Sequence, residues 1–336
     1  MTALVNPAAE RAAVPRPVHD AAGFHRGLDG YAPTPVRALG GIAAGLGLGA
    51  VLLKDESDRL GLPAFKVLGA SWAVERALRE QPDAHTLVTA SAGNHGRAVA
   101  HVAARRGLRC RVFLPRRALA IRREAIAGEG AEVVVIDGDY KAAVASATAA
   151  GAEPGALEIA DVGPPGGPPS WVIDGYATLF SEAAAQADYD AIVVPVGVGS
   201  LAAAAARHGA ERGAPVTGVE PAAAACLTAS LAAGEPTSVA TPGTTMAGLD
   251  CAEVSEAAWP SLRPGIATAL TVTDEQSAAA MAELAALGLT IGECGAAPLA
   301  ALRRLMEPDL AGVRAAAGLG PGRRVLLIAT EGRTGG

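Results

Sequence analysis

The chain has 336 residues, 50% of them hydrophobic but only 3% aromatic, so a sizeable core has to be built from Ala, Val, Leu and Ile. Lys and Arg number 28 against 34 Asp and Glu, a formal charge of -6 without a basic block, which argues against nucleic acid and leaves a small molecule as the default partner. The longest apolar run, 191–206, is broken by Pro195, Gly197, Gly199 and Ser200 and falls short of about 20 residues, so no membrane span is expected. The charged N-terminal stretch lacks the apolar centre of a signal peptide, and a cytoplasmic protein is the expectation. The four cysteines are dispersed, without the spacing of a zinc site, so no metal is expected and free thiols are.

Residues 1–22 are polar and proline-punctuated and read as a weakly ordered arm. Pro33 and Pro35 then hold the chain extended before a short helix near 38–48. An apolar extended stretch at 51–53 runs into the charged turn KDESDRLGLPAF, which delivers Phe65 and Lys66 to a helix start. Desolvation and an unfavourable helix dipole lower an ammonium pKa in such a place, which suits a Schiff-base lysine. Helices over 71–78, 98–106 and 122–129 alternate with strands over 86–89, 111–114 and 132–136, the pattern of a parallel sheet covered by helices. The stretch VGPPGGPPS at 162–170 breaks the alternation and reads as a surface loop near a domain junction. Beyond it come a helix at 174–185, a strand at 191–196, a helix at 201–208 and a strand at 216–219. A loop at 241–251, helices at 275–287 and 295–307, and a strand at 325–329 complete the chain.

Three strand ends carry groups suited to ligand binding. Gly197-Val198-Gly199-Ser200 leaves backbone N–H groups uncovered at a helix start, a phosphate cradle. It has two readings: a dinucleotide fingerprint made of Gly197, Gly199 and Ala202, with Glu220 as ribose ligand, or a cup for the single phosphate of a cofactor bonded to Lys66. The loop Ser91-Ala92-Gly93-Asn94-His95-Gly96 offers N–H donors for a carboxylate and an amide for a ring hydroxyl. Thr330 places a hydroxyl at the end of the last strand, where ligands of α/β sheets collect.

Taken together, the segments FHRGLDGYAPTPV, KDESDRLGLPAFKVLGAS, GNHGRAVA, PSWVIDGYATL, PVGVGSLA, TTMAGLDC, GECGAAPLAAL and LLIATEGRT resemble the fold-type II pyridoxal-phosphate enzymes. Within that superfamily, which includes threonine dehydratase and tryptophan synthase β, they are most similar to the diaminopropionate ammonia-lyase family. The resemblance implies a two-domain α/β fold, each domain a mostly parallel sheet flanked by helices. A large cofactor-binding domain would comprise 1–75 and 176–336, and a smaller, mobile, substrate-clamping one 76–175. It also implies pyridoxal 5'-phosphate held by Lys66 as a Schiff base, with Phe65 against the ring, Asn94 at its hydroxyl, Gly197, Val198, Gly199, Ser200 and Leu201 around the phosphate, and Thr330 at the ring nitrogen. Ser91, Ala92, Gly93 and His95 would clamp the substrate carboxylate, while Asp161, Met246, Ala247 and Gly248 would border its side chain. A homodimer is implied as well.

The activity implied is α,β-elimination of ammonia from L-2,3-diaminopropionate or a similar β-substituted L-amino acid, through an aminoacrylate, to a keto acid and ammonia. A serine or threonine dehydratase or a β-replacement enzyme is the near alternative. An NAD-dependent oxidoreductase, or a cofactor-binding protein without turnover, stands further off. Two positions depart from the family pattern. Ala92 stands where the lyases carry an aspartate that acts as base on the D-enantiomer, so loss of D-activity is expected. Arg333, in the tail Arg333-Thr334-Gly335-Gly336, replaces a second aspartate.

Overall fold

The computed structural model describes residues 2–333; Met1 and 334–336, the tail that follows Arg333, lie outside the described residues. In chain order the elements begin with β1 (Ala3–Val5), α1 (Ala22–Arg26), β2 (Val36–Ala38), α2 (Gly40–Leu46), β3 (Ala50–Asp55) and α3 (Lys66–Glu80). Then come β4 (Thr86–Thr89), α4 (Asn94–Arg105), β5 (Arg109–Pro115), α5 (Ala120–Gly128), β6 (Glu132–Ile136), α6 (Tyr140–Gly151), β7 (Ala156–Glu158) and α7 (Gly167–Gln186). The remainder is β8 (Ala191–Pro195), α8 (Ser200–Arg212), β9 (Val216–Pro221), α9 (Cys226–Ala233), α10 (Trp259–Gly265), β10 (Ile266–Val272), α11 (Asp274–Ala286), α12 (Glu293–Leu305), α13 (Ala311–Ala316) and β11 (Arg324–Ala329).

The chain divides into two compact units, one formed by residues up to 65 and from 176 onward, the other by 66–175. The sequence reading puts this division ten residues later, inside α3; in the structure the whole of α3 belongs to the smaller unit, because its apolar residues pack with α4.

The larger unit holds a seven-stranded sheet in the order β1-β10-β9-β8-β11-β3-β2. Its five inner strands are parallel, while the edge strands β1 and β2 run antiparallel to their neighbours. Central strands β3, β8, β9 and β11 are buried almost throughout, as strands covered on both faces must be. One face packs on α12, whose Ala296, Ala297, Leu299, Ala301 and Leu302 join Leu53, Val193, Leu270 and Leu327 in one core. With so few aromatic side chains, the Ala-rich helices can approach the sheet closely, and contacts between small aliphatic groups fill the space.

The smaller unit has four parallel strands in the order β6-β5-β4-β7, with Val88 and Phe113 packed on Ala143, Ala147 and Ala150 of α6. Periodicity alone misses α6, because an alanine-rich helix of low amphipathicity carries no stripe to read. Its start is nonetheless fixed by the Asp139 carboxylate, which accepts from the Ala142 N–H at 3.0 Å.

The N-terminal stretch differs from the expected loose arm. Residues 3–5 add an antiparallel edge to β10, and the Asn6 amide donates to the carbonyls of Arg263 and Ile266 at 2.8 and 2.6 Å. These partners lie some 260 residues away, so only the folded chain reveals them. The glycine- and proline-rich 162–170 stretch is partly helix: Gly167 opens α7, and Pro168 and Pro169 occupy its first turn, where no N–H is needed.

Candidate active site

Three structural features converge on residues 63–66. The chain runs from β3 through a turn in which Leu60, with φ 54°, is the non-glycine residue of positive φ among the described residues. That turn is held from inside by Arg59, which is fully buried and bonds to Glu56, Glu182 and the carbonyl of Ala32. The following residues are pinned by the extension of the last strand: Ala64 bridges Glu331, Gly332 N–H donates to Pro63 O at 3.0 Å, and Phe65 N–H donates to Thr330 O at 3.2 Å. Phe65 packs on Tyr176 with ring centroids 4.7 Å apart. The next residue, Lys66, starts α3, as the sequence reading expects.

In the larger unit, β8 feeds a turn at 197–199 and then α8. Gly199 sits at φ 93° as the residue before the helix, and its carbonyl accepts from Ala203 N–H at 2.8 Å. The first turn of α8 therefore presents N–H groups that the helix cannot satisfy internally. A side chain on Gly197 would put a Cβ 2.7 Å from Gly248 O, so the absence of one lets the 246–249 loop close against this turn. Met246 itself is fully buried in the sheet core. Its N–H donates to Thr244 Oγ1 at 3.1 Å and its carbonyl accepts from Leu249 N–H at 2.8 Å. Thr330 is 4% exposed and its Oγ1 has no hydrogen-bond partner.

In the smaller unit, Lys66 Nζ lies 2.9 Å from Asp161 Oδ2, a pair that sequence reasoning did not make. The lysine expected as a desolvated amine is one half of an ion pair. Burial works to raise the Asp161 carboxyl, but the neighbouring His95 ring and the Lys66 ammonium together outweigh it and hold the group well below the usual carboxylate range. His95, second residue of α4, is 2% exposed and directs Nε2 at the Ile159 carbonyl at 2.8 Å. Burial keeps this ring neutral against the opposing pull of Asp161. Ala92 is half-buried in the loop that precedes α4, and Asn94 is half-buried as the first residue of that helix. Gly96 closes that loop; a Cβ there would fall 2.1 Å from Ser91 O.

Glu220 does not serve the glycine turn. Its two carboxylate oxygens accept from the N–H groups of Leu227 and Thr228 at 2.6 and 2.8 Å and from the Thr228 hydroxyl at 2.7 Å, at the start of α9. Fully buried and engaged in this way, it has no oxygen to offer a ribose, and the dinucleotide reading loses its ligand. Arg333 is exposed and lines a hollow of about 430 Å³ with Thr245, Asp274, Glu275 and Glu293. The four cysteines are free, and burial raises the thiols of Cys110, Cys226 and Cys294, so they stand as thiols.

Comparison with known proteins fits this arrangement. The family described as "Pyridoxal-phosphate dependent enzyme" matches residues 28–331. Diaminopropionate ammonia-lyase of Salmonella typhimurium is 34% identical, over 94% of this chain and 89% of its own length. The Escherichia coli enzyme of the same name is 30% identical, over 93% and 87%. A crystal structure of the Escherichia coli enzyme in complex with an aminoacrylate-PLP azomethine reaction intermediate superposes with a TM-score of 0.89 at 29% identity, covering 99% of this chain and 94% of that one. With the match spanning nearly the whole chain, this protein belongs to the pyridoxal-phosphate dependent enzymes.

Proposed function

We propose that the protein eliminates ammonia from L-2,3-diaminopropionate to give a three-carbon keto acid and two molecules of ammonia. The observation that carries the reading is the Lys66–Asp161 ion pair at the start of α3, which sets an amine beside a carboxylate at the position that the sequence resemblance gives to the cofactor lysine. The cofactor's fit is supported by the chain itself. The Gly197–Leu201 turn, without a Cβ at Gly197 and Gly199, leaves backbone N–H groups at a helix start, suited to a phosphate, and the partnerless Thr330 hydroxyl offers a neutral group to a ring nitrogen. Lys66 would hold the aldehyde carbon, Asn94 the ring hydroxyl and Phe65 one ring face.

When bound, pyridoxal phosphate supplies the electron sink that makes the Cα proton of an amino acid removable. As the free, neutral amine, Lys66 Nζ takes that proton, and Asp161 stabilises the ammonium so formed. The Cβ–N bond breaks with its electron pair leaving on ammonia, and water hydrolyses the remaining imine to the keto acid and the second ammonia. Backbone N–H groups of Ser91 to Asn94 orient the substrate carboxylate, and the smaller unit serves as the substrate-clamping domain. Ala92 has no acceptor for a proton, so the reading is confined to the L-enantiomer. The described residues contain no helix long and apolar enough to cross a membrane, and we take the enzyme to work in the cytoplasm as a homodimer.

Purified protein should be yellow, and borohydride should fix the cofactor to the peptide containing Lys66. Lys66→Ala should abolish both the trapping and keto-acid release. L-Diaminopropionate should yield two ammonia per keto acid, whereas serine yields one. A colourless protein, or a coloured one that releases no keto acid from diaminopropionate, would overturn the proposal.

A further inference from the structure

His95, buried beside Asp161, is left without a task by the mechanism above. Its Nε2 faces a carbonyl oxygen, which can only accept, so in the neutral ring Nε2 carries the proton and Nδ1 is a bare lone pair. That Nδ1 is buried and has no hydrogen-bond partner. It lies 3.8 Å from Asp161 Oδ2, too far for a hydrogen bond and with no proton on either atom to share. Two acceptors held side by side in a buried place call for a donor with more than one proton. An ammonium has three, and the Lys66 ammonium reaches the carboxylate of the pair at 2.9 Å.

We propose that His95 is a specificity-determining residue: its Nδ1, kept unprotonated by the Nε2 bond to Ile159, acts with Asp161 as an acceptor pair for the substrate's β-ammonium. The assignment rests on the functional reading above. Its chemistry suits that reaction, because an amine departs as ammonia only if its nitrogen already carries the third proton. A pair that accepts and never donates holds the group in that form. A β-hydroxyl gains less, since it brings one proton to two acceptors and receives none in return.

The test uses the cofactor-loaded enzyme and His95→Gln, whose amide N–H keeps the bond to Ile159 O and leaves no acceptor where Nδ1 stood. The KM for L-diaminopropionate should rise about tenfold, the loss expected of one hydrogen bond to a charged group. The inhibition constant of L-alanine, which has no β-ammonium, should stay unchanged. His95→Asn, which restores a carbonyl oxygen near the Nδ1 position, should recover part of the loss. In parallel, ¹⁵N imidazole shifts of the unaltered enzyme should give His95 as the Nε2–H tautomer. Equal changes in KM and in the alanine constant, or a protonated Nδ1, would overturn the assignment while leaving the functional reading intact. No ammonia release from diaminopropionate by the unaltered enzyme would overturn the functional reading and the assignment with it.

Discussion

Arg59 and Glu182 meet through two parallel hydrogen bonds, Nη1 to Oε1 and Nη2 to Oε2, both 2.7 Å, with the arginine side chain fully buried. Glu56, Lys54 and Thr34 complete the cluster: Lys54 Nζ donates to Glu182 at 2.7 Å and Arg59 Nε to Glu56 at 2.8 Å. Removing one partner of such a set strands the others in a dry place. Arg59→Met should therefore destabilise the protein by about 3–5 kcal/mol, measured by urea unfolding. Arg59→Lys should lose less than Met but still show a deficit, because a point charge cannot replace a two-pronged donor.

Gly197→Ala is expected to disturb the turn before α8 without unfolding the sheet. The new Cβ would stand 2.7 Å from Gly248 O and 3.1 Å from Cys251 Sγ, and the carbonyl cannot move without its loop. Strain of this kind costs about 1–3 kcal/mol, so cofactor affinity should fall by roughly tenfold or more in a fluorescence titration. Far-UV circular dichroism should be unchanged. An affinity equal to that of the unaltered protein would show that the turn does not hold the phosphate.

Ala92→Asp should introduce activity on D-diaminopropionate, by returning a proton acceptor to the loop before α4. The ratio of kcat/KM for the D- and L-forms is the quantity to follow. It should be at background in the unaltered protein and rise at least tenfold in the variant, the scale of one positioned base. A D-form turned over as fast as the L-form by the unaltered chain would remove Ala92 from the argument.

Stability should fall on mild acidification. His208 stacks on Phe180 at 5.6 Å and bonds through Nε2 to Tyr189 Oη at 2.7 Å; burial, helped by Arg212, brings its pKa down to about 4. Unfolded, the ring titrates near 6.5. Between these values the unfolded chain binds more protons, so the stability present above pH 6.5 is lost as the pH drops toward 4, on the order of 3 kcal/mol at most. His208→Phe should flatten that part of a plot of Tm against pH. A remainder of the same sign should persist from His95, which burial also holds neutral.

The strand–helix alternation and the four chemical stretches could be read from the chain because they rest on local rules: period, glycine placement and helix starts. Glu220 shows where such rules stop. Its position about 20 residues after the glycine turn is the same whether it binds a ribose or caps a helix, and only the packing of α9 against β9 decides between them. The Lys66–Asp161 pair was out of reach for another reason. Both residues stand out in the sequence, but 95 positions of chain separate them, and no periodicity links the end of a turn to a loop beyond β7. The run Lys54 to Arg59 misled in the opposite direction. Five charged residues in six positions look like a solvated turn, yet Lys54, Glu56 and Arg59 are wholly enclosed because Glu182 arrives from α7 to neutralise them.

The position of β11 in the seven-stranded sheet bears on how the polypeptide is made. This strand, the last in sequence, is bonded to β8 on one side and β3 on the other. Until it has been synthesised, β1-β10-β9-β8 and β3-β2 are two separate ribbons with no hydrogen bond joining them. The unit formed by 66–175 is one continuous stretch that draws all four of its strands from within itself, so it can close while translation continues. A nascent chain that terminates just before Arg324 would thus carry one finished sheet and one split down its middle, with the apolar edges of both halves open to other unfinished chains.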